Sequence, residues 1–116
     1  METRVEKMAD ITILELRGEK LVESNAKDFK DDVAPVLTST RKVIFDMSRL
    51  QFVDNSGLGV LLSCLRKLHA AGGELKLFGL TDQVRRLIEL VRMHRIFDIY
   101  NTREEACRAY HFSSSI

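Results

Sequence analysis

The order of apolar and polar positions predicts short strands alternating with amphipathic helices. Ile11-Thr12-Ile13-Leu14-Glu15-Leu16 is β-branched at its start and alternates toward its end, the pattern of a strand, and Gly18 stops it. Val5 to Met8 is a candidate partner strand at its edge. Ser24 or Asn25 offers a helix N-cap, with Asp28 three residues beyond Asn25, and Ala26, Phe29, Val33 and Leu37 follow at near-helical spacing. Pro35 falls inside that spacing without a backbone donor, so the helix is expected to kink there or to end just before it.

Lys42-Val43-Ile44-Phe45-Asp46 is an apolar run of strand length, as a sheet covered on both faces requires. Leu50-Gln51-Phe52-Val53 reads as a short extended piece. Leu58, Leu61, Leu62, Leu65 and Leu68 then form the stripe of an amphipathic helix that Gly72-Gly73 terminates. Glu74 to Phe78 alternates as a strand with Leu75 and Leu77 on one face. Thr81 or Asp82 caps a helix whose apolar face is Val84, Leu87, Ile88 and Val91. Ile96 to Tyr100 reads as a last strand. Thr102-Arg103-Glu104-Glu105 has the form of a capping box opening a final helix through Ala106 to Tyr110, with 112–116 a frayed end. Strands that alternate with helices need crossover connections. The reading is therefore a single α/β domain with a mixed, mostly parallel sheet of four to five strands, packed with about four helices. In such sheets functional groups gather where strands end and helices begin, here between Asp46 and Leu58.

Composition narrows the function. Thirty-seven of 116 residues are Leu, Ile, Val or Phe, enough to bury a core, and the length suits one domain. Eighteen basic and 17 acidic side chains give a net charge of +1, which supplies no field for nucleic acid or an anionic membrane. Arg85, Arg86, Arg92 and Arg95, with Glu89 among them, fit the solvated face of one helix. Cys64 and Cys107 are too few to staple a secreted domain and read as reduced thiols. The charged N-terminus lacks a signal-type apolar stretch, and no run is long enough for a membrane span, so a cytoplasmic protein is expected. His69, His94 and His111 are scattered, Cys64 and His69 are off a common helical face, and no phosphate loop occurs. A non-enzymatic domain without cofactor or metal is expected.

The segment from Val43 to Leu62 carries Asp46-Met47-Ser48 at the end of an apolar strand. A short apolar piece follows, and then Asp54-Asn55-Ser56-Gly57-Leu58-Gly59 at the head of a Leu-rich helix. In this order it resembles the signature of the STAS family, and more narrowly the bacterial anti-sigma factor antagonists. Gly18, the Asn25-Ala26 helix start and the strands at Lys42 and Glu74 also fall where that family has them, so the resemblance spans nearly the whole chain.

The resemblance implies a partner switch. The unphosphorylated form binds an anti-sigma factor that is also a serine kinase, an ATPase of the histidine-kinase-like type, and so frees the sigma factor. Phosphorylation of the matching residue, Ser56, ends binding, and a serine phosphatase resets the cycle. The implied docking surface comprises Ser24, Asn25, Asp46, Asp54, Asn55, Ser56, Gly57 and Leu58, on a monomer or weak dimer. One departure stands out: where many members place an acid directly after Gly-x-Leu, this chain reads Gly18-Glu19-Lys20-Leu21-Val22-Glu23, with the acid displaced to Glu23.

The residues carry a physical rationale of their own. Ser56 sits at or beside the N-cap of the leucine-striped helix, where unpaired N–H groups can receive a hydroxyl or phosphate. Ser before Gly at a helix start is also an ordinary cap. Asp54 reads either as a loop-stabilising acceptor or as a docking group, and Asp46 as an Asx-type turn or a docking contact. Gly57 and Gly59 are expected to let helix and sheet approach. Asn55 stands where many members carry a second hydroxyl. Two other readings are weighed: a two-component receiver phosphorylated on Asp46, and a STAS scaffold subunit of a stress-signalling or lipid-transport complex.

Overall fold

The computed structural model describes the backbone of residues 1–114 and the side chains of residues 1–110. Strands β1 (Thr3–Met8) and β2 (Ile11–Leu16) form an antiparallel hairpin. A two-residue strand β3 (Lys20–Leu21) and helix α1 (Glu23–Ser39) follow, then β4 (Lys42–Asp46), β5 (Phe52–Val53) and α2 (Asn55–Ala70). The chain continues through β6 (Glu74–Phe78), α3 (Asp82–Leu90), a 3-10 turn over Met93–Arg95, β7 (Asp98–Tyr100) and α4 (Arg103–Ser114). The main sheet has the order β1-β2-β4-β6-β7, parallel from β2 onward, and β3 pairs β5 in a separate parallel ribbon. This is the expected mixed, mostly parallel sheet with four helices.

The register sorts side chains between two layers. Leu14, Phe45 and Leu77 lie side by side across three strands and join Val33, Leu61, Leu65 and Ile88 in the larger core. Ile13, Ile44 and Lys76 form the adjacent row, facing Ala106 and Tyr110 of α4. Successive strand residues point to opposite faces, so one register defines both layers.

Several local expectations are revised. Neither Ser24 nor Asn25 caps α1: the cap position is Val22, and Asn25, in the first turn, accepts at Oδ1 from the Val22 N–H at 2.8 Å. Asp28 therefore sits beyond the capping geometry. The helix runs past Pro35 to Ser39. Pro35 is on the exposed side, where the carbonyl it leaves without a partner meets water, and Thr38 and Ser39 hydroxyls donate to the Pro35 and Val36 carbonyls at 3.0 and 3.1 Å. Helix α3 ends at Leu90, because Arg92 takes a left-handed conformation with φ 62°. Val91 is consequently exposed, and Arg92 and Arg95 lie on the following turn instead of sharing one helical face with Arg85 and Arg86. Ile96 is exposed too, and the last strand is confined to Asp98–Tyr100.

Other expectations hold. Gly72 adopts φ +81° at the end of α2, the left-handed turn that glycine takes without strain. Thr81 caps α3 by accepting from the Val84 N–H, and the Thr102 hydroxyl accepts from the Glu105 N–H at 3.2 Å. The segment expected to fray, 112–116, has no described side chains, and its residues 115 and 116 lie outside the described backbone.

Candidate functional site

Strands β2, β4 and β6 run in the same direction, so the segments that follow them gather at one end of the sheet. There β3 and β5 pair, Lys20 with Phe52 and Leu21 with Val53, and each leads straight into a helix. Both helix starts are thereby set side by side. Asp54 joins them. As the N-cap of α2 its Oδ1 accepts from the Gly57 N–H at 2.9 Å, while its Oδ2 accepts from the Glu23 N–H, at the head of α1, at 3.0 Å. These backbone donors, Gly57 first and Glu23 next, hold the carboxyl below its ordinary value. Asp54 is thus ionised at neutral pH and its carboxylate is already occupied.

Asn25 supports the same corner from below. Besides accepting from Val22, it donates from Nδ2 to the Lys20 carbonyl at 2.8 Å, fixing β3 to the first turn of α1. Gly57 shows how tightly the pieces meet: a Cβ there would collide with the Leu21 carbonyl oxygen and lie 2.7 Å from Val53 Cγ1. Glycine is required by this close approach. At Gly59 a Cβ would meet nothing within 4 Å, so the expectation that it too brings helix and sheet together fails, because that side of α2 faces open space.

Ser56 occupies the second helical position of α2 and is half-buried. Since Asp54 serves as the cap, Ser56 is beside the N-cap and does not fill it. Among the described residues its hydroxyl engages no hydrogen-bond partner, whereas those of Ser48, Thr81 and Thr102 do. The ordinary explanation for a serine at a helix start is therefore unavailable to it. Asn55 and Ser24 flank the corner with exposed side chains, while Gly57 and Leu58 are buried and place the surface without lining it.

Asp46 behaves differently from Asp54. Its Oδ1 accepts from the Ser48 N–H at 3.0 Å and the Ser48 hydroxyl at 2.7 Å, an Asx-type turn that closes the exit of β4. The Asx-type turn expected of it is present. Thr81 braces the neighbouring loop by donating to the Leu50 carbonyl at 2.9 Å.

The sequence reading missed two features. An open groove runs between β5 and α3, signalled only by Phe52, an aromatic residue beside a two-residue strand. On the opposite face, Lys76 is 3% exposed and pairs with Asp98 at 3.1 Å, with the Tyr110 ring centroid 4.6 Å from its Nζ. No helix among the described residues is long and apolar enough to cross a membrane.

Comparison with known proteins agrees with this fold. The model of the STAS domain matches residues 2–106. BtrV of Bordetella bronchiseptica, named provisionally as an anti-sigma factor antagonist, is 31% identical over 111 residues, 95% of each chain. A Thermotoga maritima crystal structure with the same provisional name superposes with a TM-score of 0.83 at 27% identity, over 92% of each chain. The Bacillus anti-sigma factor antagonist SpoIIAA shares the fold in its unphosphorylated form, with a TM-score of 0.77 at 21% identity over 95% of this chain and 96% of that one. Its phosphorylated form gives 0.69 at 20% identity over 94% and 99%. With the sheet order and these matches in agreement, the chain belongs to the STAS domain family, in its anti-sigma factor antagonist branch.

Proposed function

We propose that this protein is a cytoplasmic anti-sigma factor antagonist that acts by binding, and that Ser56 is its switch. Unphosphorylated, the corner formed by Ser24, Asn25, Asp54, Asn55 and Ser56, placed by Gly57 and Leu58 and closed by the Asp46 turn, docks an anti-sigma factor that is also an ATP-dependent serine kinase. Docking releases the sigma factor. The kinase then transfers the γ-phosphoryl group of ATP to Ser56 Oγ, with ADP leaving and the hydroxyl proton lost, and a serine phosphatase restores the hydroxyl. The observation that carries this reading is the half-buried Ser56 hydroxyl left unengaged while its neighbours Asp54 and Asn25 are committed. That SpoIIAA is known in unphosphorylated and phosphorylated forms lends the reading further support.

The electrostatics favour a switch in binding over one in folding. A phosphate adds about −1.5 to −2 of charge. The Gly57 N–H already serves the Asp54 carboxylate, so the helix end is partly satisfied before the phosphate arrives. Two negative groups in one turn repel, which directs the new one outward, toward whatever is docked. Mismatched charge across an interface costs several kcal/mol, about a hundredfold or more in affinity.

The test begins with the Ser56→Ala form as bait in the native cell, followed by purification of the ATPase it captures. Calorimetric titration should show Ser56→Ala binding that ATPase and Ser56→Asp binding at least tenfold more weakly. With ATP, the ATPase should add one phosphate to the wild type and none to Ser56→Ala by mass spectrometry. Equal affinity of the two variants would refute the switch.

A further inference from the structure

A groove of about 520 Å3 lies between β5 and α3, a size that accepts small ligands or a partner's side chains. Phe52 and Val53 form one wall, Val84 and Leu87 the other, with Gln51 and Gln83 at the rim. Phe52 is 55% exposed, although it heads the strand that leads into the site. Arg86 lines the groove, and Lys20 stands next to Phe52 in the ribbon register. Among the described residues neither cation is ion-paired, and no acidic side chain lines the groove. Val53, one of its walls, also abuts the position a Cβ of residue 57 would take, so the groove and the Ser56 corner share a residue.

We propose that this groove is the second half of the docking surface, and that it receives an apolar side chain carried next to a carboxylate on the partner ATPase. This rests on the reading of Ser56 given above. Phe52 and the half-buried Leu87 would give up water on contact, over a floor of the already buried Val53 and Val84, and aromatic and arginine side chains are the types that dominate such contacts. Arg86, which lines the groove, and Lys20, next to Phe52, supply positive charge that is not ion-paired. A second copy of the chain fits poorly, because a two-fold contact would bring the same cation-edged groove, with no acidic side chain in its lining, to both sides of the interface.

The experiment titrates Phe52→Ser and Arg86→Glu, each combined with Ser56→Ala, against the purified ATPase captured by the Ser56→Ala bait. Phe52 and Arg86 are both exposed, so the variants should keep the wild-type melting temperature. Each should bind at least tenfold more weakly than Ser56→Ala alone. The loss from Arg86→Glu should shrink as salt is raised from about 0.1 M to about 1 M, where the screening length falls from about 10 Å to about 3 Å. Full affinity in both variants, with Ser56→Asp still weak, would overturn the groove and leave the switch standing. Loss in both, with Ser56→Ala and Ser56→Asp equal, would overturn the switch and leave the groove. Loss in Phe52→Ser alone would remove the carboxylate from the proposal. A dimer in sedimentation that Phe52→Ser dissociates would give the groove to a second copy, and failure to capture any ATPase would overturn both readings.

Discussion

Polar groups organise both the Ser56 corner and the layer beneath α4, but they do so under opposite constraints. At the corner, Asp54 and Asn25 work near the surface, tying backbone N–H and carbonyl groups together while one hydroxyl stays spare. Beneath α4, every buried side-chain nitrogen and oxygen among the described residues has a partner. The Tyr110 hydroxyl lies 2.7 Å from the Val43 carbonyl and 2.6 Å from that of Glu74, and it accepts from the Val43 N–H at 3.1 Å. Burial pushes that phenol well above its ordinary pKa, so it stays a neutral donor at any physiological pH. Water can repair a missing contact at the corner but cannot do so under the helix. A hydroxyl can therefore stay spare, and open to a partner, only at the first of these places.

The contrast is broken most severely at Gly57. Gly57→Ala should cost about 3 kcal/mol in urea unfolding, since the collision is with the backbone of β3 and neither partner can yield. Wild-type stability for that variant would show that the corner is looser than the geometry implies. Tyr110→Phe comes next, at about 1–3 kcal/mol, because it strips hydrogen bonds from buried backbone groups without altering the shape of the ring. Gly59→Ala should go the other way, stabilising by about 0.5–1 kcal/mol, as a helical glycine in open space gains from a Cβ.

The smallest effect concerns acid. The Asp54 carboxyl is held below its ordinary value of about 3.9, so its contribution is complete above that pH and is lost as pH falls through the lower, folded value. Asp54→Asn keeps a side chain able to cap α2 but removes the titration. Its urea midpoint should fall less steeply than the wild type's between about pH 4 and about pH 2. Identical acid limbs would place the pH sensitivity elsewhere.

Much of the layered fold was legible because its signals are periodic. The Leu58–Leu68 stripe, the runs at Val43 and Leu75, and Gly72 at a positive φ all follow from local chemistry. Of the β3–β5 ribbon only the extended piece ending at Val53 was legible, since two residues per strand carry no period and nothing marked β3 as its partner. Nor could spacing distinguish Asp46 from Asp54: both precede a serine by two positions, yet one folds back on Ser48 and the other reaches across 31 residues to Glu23. Asn25 misled for a related reason, because its side chain turns back to Val22 and Lys20 where a cap would reach forward. Lys76 passed without notice in the alternation of Glu74 to Phe78, and it is the docking of α4 that buries it.

The double grip of Asp54 has a mechanical consequence. One carboxylate clasps the first turns of two helices, and Leu21 lies directly against Gly57, leaving the corner no hinge. A serine mounted on so stiff a platform does not swing out to meet a catalyst. Any enzyme that marks it must bring its own moving parts and close around a fixed target.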